Sequence, residues 1–209
     1  MTTQEIVKRF CDQCCWIKIV YNEYCILYES GKKVRPDLLN KIAQNFFHDL
    51  QRILIDYLFL NICKLTDPAG FGEKKNLTVK YILEQVDPQV QNELGLEELS
   101  ERIHQFRNYI VNARQKLIAH LDVDTIFSNK KLGEFPESAY EQFWADLQEF
   151  VNRIHRHYLD GIFPLDAVNT HNSEDLIWAL KKAAYFDQHF KNVLHSQLFE
   201  ENQFRYGDA

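Results

Sequence analysis

The segment 114–120 places an arginine and a histidine six positions apart, Arg114 and His120, and Asp122 follows them. Arginine stays cationic and can hold two phosphoryl oxygens at once, while histidine exchanges a proton near neutral pH. Cleaving RNA without a metal needs a base for the attacking 2′-hydroxyl, an acid for the leaving 5′-oxygen and positive charge at the phosphorane. The pattern therefore indicates chemistry on a phosphodiester, with His120 in proton transfer and Arg114 as the phosphate clamp.

A single copy of this motif is incomplete. One histidine cannot easily serve as base and acid in the same turnover, so two copies that meet across a dimer two-fold would supply both roles. On a straight α-helix, side chains six residues apart point about 120° away from each other. The motif therefore requires the helix to end or bend near His120, and it predicts a homodimer with a composite site.

The rival interpretation of the motif is structural. So short a pattern also arises by accident, as a surface arginine and a half-buried histidine at a helix C-terminus, where a protonated histidine favours the helix dipole. The motif could then merely pin helices together in a structural dimer.

Asp56 is a second candidate, because it lies in the apolar run 53–60. An ionised carboxylate in such surroundings is costly unless it is paired. Two residues are possible partners of Asp56. Asp56 could accept hydrogen bonds from Arg114 and orient it, or it could pair with Arg52, four residues earlier on its own helix.

The composition predicts which elements position these residues. Of 209 residues 45% are apolar, and only 7 are glycine and 5 proline, which favours long helices over a sheet with many turns. Apolar residues recur at helical spacing over about 3–29, 36–66, 97–120, 138–158 and 173–198, with shorter helices at about 77–86 and after Asp87-Pro88. Ser138-x-x-Glu141 resembles a capping box at the start of a helix. We expect an all-α protein, a single bundle of five to six helices over residues 1–200, and a polar tail over 201–209.

Other features restrict location and partners. The N-terminal residues contain no apolar signal-peptide core, and no run approaches the ~18 apolar residues of a membrane span. We therefore expect a cytoplasmic protein without a membrane partner, whose five cysteines are reduced. The formal net charge of −6 means that RNA binding must use a local basic patch, for which the loop pairs Lys74-Lys75 and Lys130-Lys131 are candidates.

The cysteines near the N-terminus superficially suggest a metal site. Cys11, Cys14 and Cys15 lie within a predicted helix, however, without the second ligand pair that zinc sites usually need. His155 and His157 are two positions apart and do not share a helix face. We expect buried thiols, with no metal and no cofactor.

The segment Arg114-Gln-Lys-Leu-Ile-Ala-His120-Leu-Asp122 resembles the signature of the HEPN superfamily, all-α proteins marked by Arg-x(4–6)-His late in a bundle helix. It is most similar to the bacterial abortive-infection, AbiU2-like branch, and the segments 55–58, 65–67 and 75–78 add to the likeness. The resemblance implies a metal-independent, dimeric endoribonuclease of antiviral defence or a toxin–antitoxin system, with RNA as substrate and a cognate antitoxin or defence partner.

The resemblance also maps roles onto residues. Arg114 and His120 correspond to the arginine and histidine of the motif. In our own hypothesis for this site, Gln115 and Lys116 assist and Asp56 supports. The family often has Asn, Asp or His directly after the arginine, whereas Gln115 can hydrogen-bond a phosphate or a ribose but cannot titrate. Some HEPN proteins are inactive, so a non-catalytic helical module that binds a nucleotide or a partner protein remains the alternative.

Overall fold

The protein is an α-helical chain, seen here in a computed structural model that describes residues 2–29, 34–120, 122–128, 132–166 and 172–194. The helices of these ranges are α1 Thr3–Tyr24, α2 Val34–Leu65, α3 Val79–Gln85, α4 Pro88–Glu93, α5 Leu96–Ala113, α6 Val123–Phe127, α7 Glu137–Leu159 and α8 Asn172–Leu194. Two π-helical segments, Cys25–Glu29 and Arg114–Ile118, directly continue α1 and α5. Strand β1 Gly70–Phe71 pairs antiparallel with β2 Lys74–Lys75. The all-α prediction is confirmed.

The chain divides into two compact units, Met1–Asn22 with Arg52–Asn169 and Glu23–Gln51 with Thr170–Ala209. In the first unit, the apolar residues that recur at helical spacing along α1, α5 and α7 are buried together and form a core. The rings of Phe10 and Phe150 meet edge to face at 5.9 Å. Fully buried side chains of this core are Val7, Phe10, Ile17, Ile103, Ile110, Leu147, Phe150, Val151 and Ile154.

The second unit combines the first half of α2 with the segment Cys25–Glu29 and α8. Leu27, Leu39, Phe47 and Ile177 are buried, and the Tyr28 hydroxyl donates to the carbonyl of Phe47 at 2.8 Å. The single domain predicted over 1–200 stays a prediction, and the tail 201–209 lies outside the described residues.

Local signals set several helix boundaries, among them the predicted helix start at Asp87-Pro88. Thr78 caps α3 by accepting from the Tyr81 amide at 3.1 Å, and Asp87 caps α4 by accepting from the Gln89 amide at 2.9 Å. Gly95 separates α4 from α5 with φ of 57°, a left-handed conformation that glycine adopts at low cost. These termini could be predicted because each depends on side chains that are close in sequence.

Two boundary predictions were wrong. Ser138 is not an N-cap, because α7 begins at Glu137 after Pro136 and Ser138 already lies in the first turn. The stretch between the helices predicted over about 97–120 and 138–158 contains a further helix that was not predicted, α6. The Asp122 carboxylate accepts from the Thr125 amide at 2.9 Å and so begins that helix. Lys130-Lys131 lie outside the described residues.

The apolar second half of α2 is exposed where it starts and buried where it ends. Ile53 is 60% exposed, whereas Ile62 and Cys63 are fully buried. The core therefore includes the last two turns of α2 and leaves out Ile53. Among the described helices, none combines the length and the apolar content needed to cross a membrane.

Candidate functional site

The Arg114–His120 motif lies where the helix of α5 changes its winding and then ends. The amide of Ala119 donates to the carbonyl of Arg114 at 2.8 Å, a wider turn than the α-helical one. The π-helical segment ends at Ile118, two residues before His120. The condition set by the sequence, a helix end close to His120, is therefore met.

Arg114 is half-buried beside an acidic partner that differs from the predicted one. Its Nη2 atom lies 4.0 Å from Oδ2 of Asp67, and 27% of its side chain is exposed. Its Nε atom is buried without a hydrogen-bond partner in the described part of the chain. Arg114 therefore has one donor that no described residue satisfies, and Asp67 sits beside the guanidinium.

Asp67 is itself held by a second arginine. Nη2 of Arg107 lies 2.7 Å from Oδ1 of Asp67, so the carboxylate stands between two guanidinium groups. Arg107 also donates to the carbonyl of Cys63 at 2.8 Å and to the hydroxyl of Thr66 at 3.3 Å. We refer to Arg107, Asp67 and Arg114 as the Asp67 cluster, which fastens the end of α2 to the last turns of α5.

The Asp67 cluster places charges of both signs near the end of α2. Burial raises the pKa of the Cys63 thiol, the charges of Arg107 and Arg114 act against that rise, and the charge of Asp67 adds to it. Two arginines with one carboxylate leave one unbalanced positive charge, which suits a phosphate. Arg107 and the role of Asp67 were not predicted from the sequence. The spacing of seven residues between Arg107 and Arg114 could have indicated that both lie on one helix face.

The structure does not bring Asp56 to Arg114. Within the described residues, no hydrogen bond or ion pair joins the two side chains. Burial raises the pKa of Asp56, and the nearby charge of Arg52 lowers it in part. The partner on its own helix is thus the one that the structure favours, and a role of Asp56 at the site stays a prediction.

Gln115 and Lys116 are exposed next to Arg114. Asp122 also lies nearby, because its amide donates to the carbonyl of Lys116 at 3.0 Å. Hydrogen bonds from Thr125, and secondarily the charge of Lys116, hold the pKa of Asp122 below its usual value. Asp122 is therefore an ionised helix cap, and it does not suit a general base.

His120 is exposed and lies just beyond the helix end. The part of the chain that the structure describes gives it no hydrogen bond or ion pair. Its ring is thus accessible to a substrate or to a second copy of the chain. This differs from the half-buried histidine of the structural interpretation.

The cysteines of α1 are buried, as predicted. Burial raises the pKa of Cys11 to about 12, and Cys14 and Cys15 are also inside. Such thiols are protonated and poor ligands or nucleophiles at neutral pH. Over the described ranges, no group of three His, Cys, Asp or Glu side chains is placed to hold a metal ion.

Comparison with known proteins adds a family to this geometry. No curated protein and no solved structure matches the chain significantly. The family model HEPN_AbiU2, described as AbiU2, matches residues 2–177, a range that includes the Asp67 cluster and the whole Arg114–His120 segment. Because this range is most of the sequence, the chain belongs to the AbiU2 family, in the abortive-infection branch of the HEPN superfamily.

Proposed function

We propose that this protein is a metal-independent endoribonuclease of the HEPN type, which acts in bacterial antiviral defence or in a toxin–antitoxin system. One observation carries the proposal: the helix ends two residues before an exposed His120, while a half-buried Arg114 stands against Asp67. A fixed cation and an accessible titrating ring are the groups that phosphodiester transfer requires. Membership of the AbiU2 family supports the same activity.

Each residue of the site has a role that follows from its side chain. Arg114 binds the phosphoryl oxygens, and Asp67 limits the rotation of its guanidinium. His120 exchanges a proton with the 2′-hydroxyl or the leaving 5′-oxygen. Lys116 adds positive charge near the phosphorane, and Gln115 hydrogen-bonds a phosphate or a ribose. Asp56 would have a supporting role without touching Arg114.

A second copy would complete the site. Each copy contributes one accessible His120, whereas base and acid are both needed in one turnover. Apolar side chains lie exposed around the motif: Leu117 at 36%, Val123 at 64% and Phe127 at 82%. Exposed apolar groups so close together favour a protein contact. We infer a homodimer that joins two motifs, and a cognate antitoxin or defence partner that controls it.

The test is cleavage of a mixed RNA pool by the purified protein in EDTA. His120→Ala should lower the rate about 10²-fold or more, the usual contribution of one acid–base group, and Arg114→Ala should do likewise. His157→Ala is the matched control, since His157 is also an exposed histidine at a helix end. Cleavage that survives both substitutions, or that requires a metal, would exclude the mechanism.

The rival function is a non-catalytic helical module that binds a nucleotide or a partner protein. Gln115 favours it, because it cannot titrate beside Arg114. This function predicts that the protein cleaves no RNA at all. It also predicts a stable complex with the product of a neighbouring gene, which co-purification would detect.

A further inference from the structure

The helix α8 of the second unit is buried only near its beginning. Ser173 and Ile177 are inside, with 8% and 2% of their surfaces exposed. From 178 to 189, Leu180 and Ala184 are half-buried, and every other residue is exposed. This part of α8 therefore adds no buried side chain to the core, and most of its surface is open to a ligand.

Aromatic rings lie along one side of this exposed part. Trp178, Tyr185 and His189 are separated by seven and four residues, so on an α-helix they fall within about 40° of each other and extend over about 16 Å. Trp178 is 63% exposed and Tyr185 is 60% exposed. The rings of Tyr185 and His189 stack on each other, with centroids 3.9 Å apart and 22° between their planes.

Two lysines lie beside these rings. Nζ of Lys181 lies 5.8 Å from the centroid of the Trp178 ring. Lys182 is exposed, and its position is about 40° from Trp178 around the helix, on the side of the rings. We refer to Trp178, Lys181, Lys182, Tyr185 and His189 as the α8 platform.

The charge of the α8 platform is opposite to that of the whole chain. The chain has a formal net charge of −6, whereas the platform contains two lysines and no carboxylate. Asp187 follows Trp178 by nine residues and so lies on the opposite side of the helix. Asp175 precedes the platform, one turn before Trp178. Local positive charge on an acidic protein favours an anionic ligand.

The mixture of rings and lysines distinguishes between kinds of ligand. Lysine is depleted at protein–protein interfaces, and a helix that lies on a membrane separates its charged side chains from its apolar face. On α8, by contrast, Lys182 and the rings share one side of the helix. A single nucleic-acid strand fits this combination, because its bases stack on aromatic rings and its phosphates bind lysines.

We propose that the α8 platform is a second RNA-binding site, which holds a single strand without cleaving it. One base stacks on Trp178 and another on Tyr185, while the two lysines bind phosphates. The choice of RNA over DNA rests on the proposed function, whose substrate is RNA. The platform begins after residue 177, where the family match ends, and it belongs to the second unit, whereas Arg114 and His120 belong to the first.

The first test is the affinity of the full chain for a short, labelled 2′-O-methyl oligonucleotide, which lacks the attacking hydroxyl and cannot be cleaved. Fluorescence anisotropy measures the binding. Trp178→Ala and Tyr185→Ala should each weaken it about fivefold or more, the usual loss when one base no longer stacks on a ring. Trp16→Ala is the matched control, since Trp16 is another exposed tryptophan, at 53%, and it should leave the affinity unchanged.

The second test is the dependence of this affinity on salt. Each lysine–phosphate contact with a single strand adds about 0.7 to the slope of log K against log salt concentration. Replacing Lys181 and Lys182 together by glutamine should therefore reduce the slope by about 1.4. The same change at Lys74 and Lys75, an exposed pair in the first unit, should reduce it less. A larger reduction there would place the strand on the hairpin and overturn the proposal.

The results separate the α8 platform from cleavage at His120. If the platform binds the oligonucleotide but the protein cleaves no RNA, the proposed function alone fails. If the protein cleaves RNA while Trp178→Ala and Tyr185→Ala bind the oligonucleotide as tightly as the wild type, the platform alone is wrong.

Three further results would overturn the proposal. The first is equal affinity for the single strand and for its duplex, because paired bases cannot stack on side chains. The second is tighter binding of the DNA strand of the same sequence. The third is a change in mass of Trp178→Ala by light scattering with unchanged affinity for RNA, which would assign the exposed rings to a protein contact.

Discussion

Oδ2 of Asp67 lies 4.0 Å from Nη2 of Arg114, at the point where α5 becomes π-helical. The other oxygen of this carboxylate is bound by Arg107 at 2.7 Å. Because Arg107 holds one oxygen of Asp67, the other oxygen can orient the guanidinium of Arg114. The two arginines together still leave one positive charge unbalanced. Arg114 is thus positioned by the junction of two helices as well as by its own segment.

Asp67→Asn should lower RNA cleavage about tenfold or more, because Arg114 loses the charge that orients it. It should also reduce the free energy of unfolding by ~1–3 kcal/mol, since Arg107 is left with a weaker partner. Cleavage assays and urea denaturation measure the two effects. Glu84→Gln, which removes an exposed pair with Lys75 at 3.6 Å, should change neither. Full activity in Asp67→Asn would show that Arg114 is oriented by other contacts.

His104 should make the protein less stable in mild acid. Burial lowers its pKa below 6.5, so below that pH the unfolded chain binds a proton that the folded chain resists. The free energy of unfolding should fall as pH drops from 7 through 6.5, with Lys80 and Arg107 adding to the effect. His104→Gln should remove this part of the slope, and His157→Gln should retain it. Identical slopes in His104→Gln and the wild type would contradict the assignment.

Asp56→Asn should leave the protein as stable as the wild type or slightly more stable at pH 7. Burial raises the pKa of Asp56, which means that its ionised form is disfavoured in the folded state and that this penalty is present above its folded pKa. Thermal unfolding at pH 7 measures the change. Unchanged RNA cleavage and dimer stability in Asp56→Asn would remove Asp56 from the site.

Phe127→Asp should separate the proposed dimer without unfolding the chain. Phe127 is 82% exposed, so a carboxylate there costs little in one copy but much in an apolar contact between copies. Light scattering after size exclusion measures the mass, and cleavage should fall with dissociation. Ile162→Asp is the matched control at another exposed apolar residue, 58% exposed. A protein that is monomeric before any substitution would contradict the composite site.

The long helices could be predicted because their information is local and repeated. Phe143, Leu147, Phe150 and Ile154 recur at helical spacing, and all four are buried on one face of α7. Helix ends were less predictable where two signals competed. Pro136 precedes α7 directly, and its position displaced the capping box expected at Ser138.

Part of the candidate site could also be predicted. The spacing of Arg114 and His120 required a helix end near the histidine, and the structure places one at Ile118. The sequence could not show that the last turn is π-helical. This winding depends on the Ala119 amide, which donates to the carbonyl of Arg114 five residues earlier, whereas an α-helix would use the carbonyl four residues earlier. Nor could it rank Asp67 above Asp56, because both precede α5 and both lie near the end of α2 in sequence.

By itself, the sequence determined the helical class, the AbiU2 family and the residues that could act on a phosphodiester, because each depends on residue types at short, regular spacing. Only the tertiary structure decided which acid faces Arg114, since the choice of Asp67 over Asp56 depends on how the end of α2 packs against α5. It also decided that His120 is exposed while Arg114 is half-buried. The burial of a side chain depends on how the helices pack, so it cannot be predicted from a short stretch of sequence.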